Sequence, residues 1–138
     1  MLSVHQNQRS IKTSRYGEYY DVTEILEEEL EKSGFKTGIL CLNCQHTTAA
    51  ITMQEPDPTV QKDGVEVLNK IVPVQQDYHH NYEGNINGAA HQKQMLIGSS
   101  ISVPVTEGEL ALGTWQRVFL VELFQPMTRK ILITIIGE

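Results

Sequence analysis

Gln116 to Phe124 reads QRVFLVELF, and Arg129 to Ile136 reads RKILITII. Each run is rich in Val, Ile, Leu and Phe, is too short for a typical buried helix, and is flanked by polar residues or proline, so each predicts a long strand. Upstream, Ser100 to Val105 alternates apolar and polar residues, Glu107-Gly108 supplies a turn, and Glu109 to Leu112 forms a short strand. The last forty residues are therefore β in character.

Before them, Ser3 to Lys12 reads as an edge strand, and a second short strand passes through Tyr19 and Tyr20. A helix then follows a cap at Asp21 or Thr23, carries Val22, Ile25, Leu26 and Leu30 at helical spacing, and stops at Gly34. Thr37 to Asn43 predicts a buried strand and His46 to Met53 another. Asp57-Pro58 opens a helix whose stripe is Val60, Gly64, Val67, Leu68 and Ile71, with Pro73 ending it. Gln75 to Gly88 is a polar, turn-rich loop, and a short helix spans about Ala89 to Leu96. Strands dominate and the helices are not interleaved one by one, so the fold class is α+β.

The chain has 138 residues, 40% apolar and 20% charged, enough for one domain over 1–138 with its own core. Its formal charge of -6, with the acidic block from Glu24 to Glu31, argues against nucleic-acid phosphate as a partner. No apolar run approaches the ~20 residues of a membrane span, and no signal-peptide core follows Met1, so the expected location is cytoplasmic and off the membrane. Cys41 and Cys44 form a lone pair in an extended run that points their sulfurs to opposite faces, which makes them structural.

Three histidines lie beside small or polar neighbours: His46 in QHTTAA, His80 in YHHN and His91 in GAAH. Imidazole holds divalent metals and moves protons near neutral pH. If the three converge, they form a polar site; His5 and His79 read as ordinary surface or hydrogen-bonded residues.

Across Cys41 to the C-terminal strands, His46-Thr47-Thr48-Ala49, Asp57-Pro58, Tyr78-x-His80, Glu83-Gly84-Asn85, Ala90-His91-x-Lys93 and Leu112-Gly113-Thr114-Trp115-Gln116 resemble the YjbQ family, also described as secondary thiamine-phosphate synthases. That resemblance implies two packed, mostly antiparallel sheets with two to three helices, assembled as a homotrimer. It implies a pocket at His46, His80 and His91 that takes a metal or a small phosphorylated or anionic ligand. The activity it implies is weak transfer of a pyrimidine diphosphate group to a thiazole phosphate.

Two occupants of the pocket stay open. Three neutral imidazoles suit a divalent metal such as zinc with one open position, Glu83 acting from outside as orienting group or base. Protonated imidazoles with Asn85 and Lys93 would instead hold an anion. Arg129, Lys93 and Arg117 are the basic residues left for a phosphate, since Met127 stands where relatives often carry arginine. Trp115 reads equally as an inter-sheet anchor and as a wall stacking a flat heterocycle. The resemblance leaves two function classes: a transferase working through this pocket, and a binding protein that holds a metal or anion without turnover.

Overall fold

The two C-terminal runs fall into different sheets. The computed structural model describes residues 1–138, in the order β1 Ser3–Lys12, β2 Tyr19–Asp21, α1 Thr23–Ser33, β3 Gly38–Cys44, β4 Ala49–Gln54, α2 Pro58–Ile71, α3 Asn85–Ile97, β5 Ser100–Thr106, β6 Glu109–Leu110, β7 Arg117–Glu122 and β8 Thr128–Gly137. One sheet runs β1-β8-β3-β5-β6 and the other β2-β7-β4, with every pairing antiparallel. The α+β architecture of two antiparallel sheets with three helices matches the expectation.

Alternation explains the packing. Leu40, Leu42 and Cys44 of β3, Ile131, Ile133 and Ile135 of β8, and Val118 and Leu120 of β7 fill the space between the sheets, joined by Val22 just before α1 and by Leu26 and Leu30 within it. On the far face of the small sheet, Val121 and Leu123 meet Ala50 and Ala90, with Leu68 and Ile97 packed around them. The strand at β7 thus gains cover on both faces from within the chain. The expected buried strand at β3 has only one buried face: Cys41 is exposed and Cys44 buried, as the opposite-face reading requires.

Helix boundaries follow local chemistry. Asp21 Oδ1 accepts the Thr23 N–H at 2.9 Å, and Gly34 ends α1 at φ 70°, a conformation glycine adopts without a Cβ penalty. Asp57 accepts the Thr59 N–H at 2.8 Å and caps α2. The stripe expected on α2 is only half used, because Val67 and Ile71 are exposed while the helix rests through Gly64, where a Cβ would strike the Tyr19 hydroxyl.

A buried ion pair ties the sheets together. Glu122 of β7 accepts from Arg129 Nε at 2.8 Å and from Arg129 Nη2, from Thr13 Oγ1 at 2.7 Å, and from the Phe124 N–H at 3.0 Å. Arg129 Nη2 also donates to the Thr48 carbonyl at 3.1 Å. A second buried carboxylate, Glu29 on α1, faces β1; burial raises its pKa, but hydrogen bonds from His5, Asn7, Arg9 and Lys32 outweigh that and hold it at about 2.

Glu122→Gln should lower unfolding free energy by about 3–5 kcal/mol in urea titrations, because Arg129 is left charged and buried. Replacing both partners (Glu122→Leu with Arg129→Met) should recover most of that loss. Glu29 is ionised in the fold down to lower pH than in the unfolded chain, so its contribution is complete above the unfolded carboxylate pKa of about 4.3. It is lost as pH falls through about 2. Relative to Glu29→Gln, the wild-type stability advantage measured by denaturation should therefore shrink between those limits.

Candidate functional site

The loop after α2 and the first turns of α3 build a compact polar cluster. The candidate ligand atoms of His80, Glu83 and His91 all lie within 4.8 Å of one another. The His80 and His91 rings stand edge to face, 4.7 Å between centroids, and Tyr82 covers His80 at 4.4 Å. His80 Nε2 lies 3.3 Å from Glu83 Oε2 and 3.0 Å from Asn87 Oδ1. A carboxylate only accepts, so this nitrogen carries the proton and donates to both oxygens.

The helix makes this arrangement. α3 begins at Asn85, a turn earlier than the expected Ala89. Asn87 and His91 are then four residues apart and share a face. Gly88 allows the close approach: a Cβ there would collide with the His80 carbonyl oxygen and the Tyr78 side chain. Asn87 was missed in the sequence, where Asn-Ile-Asn-Gly looks like turn composition; its spacing from His91 was the available signal. Burial, then the neighbouring His80, holds the His91 imidazolium below the ordinary histidine range, against the pull of Glu83.

The remaining candidates lie elsewhere. His46 is not in this cluster. It sits on the connection into β4, which begins at Ala49 and not at His46, and its Nε2 accepts the Lys130 N–H at 2.8 Å. An amide N–H only donates, so His46 is neutral with its proton on Nδ1. Burial, then the Arg129 charge, keeps it so. The expected three-histidine set is therefore replaced, within one chain, by two histidines and a carboxylate.

Lys93 is buried and turned away from His91, donating to Tyr16 Oη at 2.8 Å and to Asn69 Oδ1. Arg129 is 1% exposed and engaged with Glu122. Arg117 pairs with Asp21 at 2.7 Å. None of the three stands free beside His80 and His91 to grip a phosphate. Asn85 is exposed at the first residue of α3 and makes no side-chain hydrogen bond. Trp115 is 68% exposed in the segment before β7, so it is not an anchor between the sheets.

No helix is long and apolar enough to cross a membrane. The sequence model of the UPF0047 protein YjbQ-like family matches residues 7–138. A UPF0047 protein of Methanothermobacter thermautotrophicus is 36% identical over 99% of this chain and 95% of its own length. The UPF0047 protein YugU of Bacillus subtilis is 38% identical over 92% of this chain and 96% of its own. The crystal structure of a YbjQ-like protein of unknown function from Sulfolobus solfataricus superposes with a TM-score of 0.94 at 33% identity, covering all of both chains. An uncharacterized YjbQ/UPF0047 protein of Clostridium acetobutylicum gives 0.87 at 37% identity over 94% of this chain and 98% of its own. With its fold and nearly its whole length shared in this way, the chain belongs to the UPF0047 YjbQ-like family.

Proposed function

We propose that the chain binds a divalent metal through His80, His91 and Glu83 and uses it on a small phosphorylated or anionic ligand. The observation that carries this reading is the convergence of those three donors within 4.8 Å. Two nitrogens and one carboxylate oxygen, with positions left for water or ligand, suit zinc. The electrostatics favour a cation over an anion: the Glu83 carboxylate belongs to the cluster, burial first of all disfavours protonation of His91, and Lys93 bonds elsewhere. Asn87 Oδ1 holds the His80 ring in place, and the Tyr82 ring stands edge to face with it.

Within this reading the finer activity joins a pyrimidine diphosphate to a thiazole phosphate, with pyrophosphate leaving as the new bond forms. A bound metal would supply a Lewis acid for the departing oxyanion.

The same proposal includes self-association, with three copies expected. The outer face of the large sheet carries no helix. Val4, Ile136, Ile39 and Pro104 lie side by side across four strands, the next row is Gln6, Thr134, Cys41 and Ser102, and the next Gln8, Leu132, Asn43 and Ser100. These twelve positions hold no formal charge, although the chain carries -6. Copies of an acidic chain repel each other least where such a face meets its own kind.

Calorimetric titration of zinc into chelator-treated protein should show one strong site per chain. His91→Ala should weaken it about 100-fold or more and Asn87→Ala by about 10–100-fold. Equal affinity in wild type and His91→Ala would reject the site. Metal affinity should rise with pH, because a metal ligates neutral imidazole and competes with the proton for it. Thiamine phosphate formation at the same rate in wild type and His91→Ala would remove the transferase reading while leaving metal binding in place. Sedimentation should give about three times the 15.6 kDa chain mass, and Ile39→Lys with Ile136→Lys should give single chains.

A further inference from the structure

A second polar site lies one helical turn from the first. Where the connection into β4 passes α3, a cavity of about 510 Å³ is lined by His46, Thr48, Gln94, Ser99 and Arg129 among others, and by no carboxylate. Three hydrogen-bond donors remain uncommitted around it. Arg129 uses Nε and Nη2 on Glu122 and on the Thr48 carbonyl, but Nη1 has no partner in the chain. No side-chain polar atom sealed from the surface lacks a partner, so Nη1 of this 1% exposed arginine opens onto the cavity it lines. The same holds for Thr48 Oγ1, on a residue only 8% exposed. His46, its Nε2 occupied by the Lys130 N–H, offers Nδ1–H.

We propose that this cavity is an oxyanion site in which Arg129 Nη1, Thr48 Oγ1 and His46 Nδ1 donate to a carboxylate or phosphoryl oxygen of a small ligand. Glu122 already neutralises Arg129, so the site offers directed donors and little net charge. A singly charged group, such as a carboxylate, fits better than a dianionic phosphate, whose second charge would have only the Lys130 ammonium outside the lining to meet it. Gln94 reaches the cavity from α3 three residues after His91, about 4.5 Å along the helix axis. The inference rests on the reading that the chain handles a small anionic ligand; it does not need the metal.

The test is an NMR titration of the full chain with acetate and, separately, inorganic phosphate at mildly alkaline pH, where phosphate is mostly dianionic. Saturable shifts at the His46 and Thr48 amides and at the His46 ring are expected with acetate, and weaker ones with phosphate. Thr48→Val and His46→Phe should each weaken acetate about tenfold, while His91→Ala should leave it within about twofold. Unchanged acetate affinity in both Thr48→Val and His46→Phe, or no saturable shift at all, overturns the site. Saturation by phosphate alone overturns the assignment to a singly charged group. Loss of acetate binding in His91→Ala overturns its independence. Zinc titration of the same variants separates the two readings: metal binding can fail with acetate binding intact, and the reverse.

Discussion

The ion pair between Glu122 and Arg129 is the contact on which the meeting of the two sheets, and the geometry around the cavity at His46, depends. It joins the two sheets through their inner faces, where an unpaired charge would be strongly destabilising. Such a pair is tolerated because its hydrogen-bonding capacity is used. Thr13 at the end of β1, the Phe124 amide after β7 and the Thr48 carbonyl before β4 all bond to it. Thr13 in turn accepts the Met127 N–H at 2.9 Å, which holds the connection between β7 and β8. One buried pair thereby fixes three chain segments relative to each other. The segment from His46 to Thr48 is one of them, and its imidazole feels the guanidinium directly.

The other determinant is the surface of α3. Ala89 and Ala90 let the helix lie close on the small sheet, and Gly88 lets the loop carrying His80 come down on it. Small residues on one side leave Asn87 and His91 to meet that loop. Lys93, two residues beyond His91, falls on a different side and is buried against Tyr16 and Asn69. Its ammonium bonds to a phenol and an amide, with no carboxylate among its partners, so it joins the first turn of the chain to α2 and α3. The helix that organises the histidines is thus also the one that draws the expected phosphate-gripping lysine away from them.

Much of the fold was legible because alternation and capping act locally. The edge strand from Ser3, the cap at Asp57-Pro58, the stop at Gly34 and the opposite faces of Cys41 and Cys44 are each set by a few neighbouring residues. The start of α3 was not, because Asn-Ile-Asn-Gly has the composition of a turn and becomes helical only through tertiary contact at Asn87 and Gly88. Partner choice was illegible for a different reason. Arg129 finds Glu122, Lys93 finds Tyr16, and His46 finds the Lys130 amide, the last two across more than seventy residues. No spacing rule encodes such pairings. The chemistry of each residue type was readable, but whether that chemistry is left free depends on the fold.

That distinction bears on how three histidines with one ring chemistry divide. Metal ligation and anion binding make opposite demands on imidazole, since one needs a lone pair and the other an N–H. His91 is kept neutral beside His80, with a carboxylate near; this environment selects for a cation. His46 is kept neutral by a backbone N–H that takes its lone pair, beside a buried guanidinium and away from any lining carboxylate; this environment selects for an oxygen acceptor. Placing the two environments a turn apart on α3 lets both be neutral at the same pH without competing for one ligand. A single cluster of all three rings would force that choice, because each proton gained to hold an anion would repel the metal. The separation, with His46 on the connection into β4 and His80 and His91 on the loop after α2 and on α3, is what would allow a cation and an anion to be held side by side.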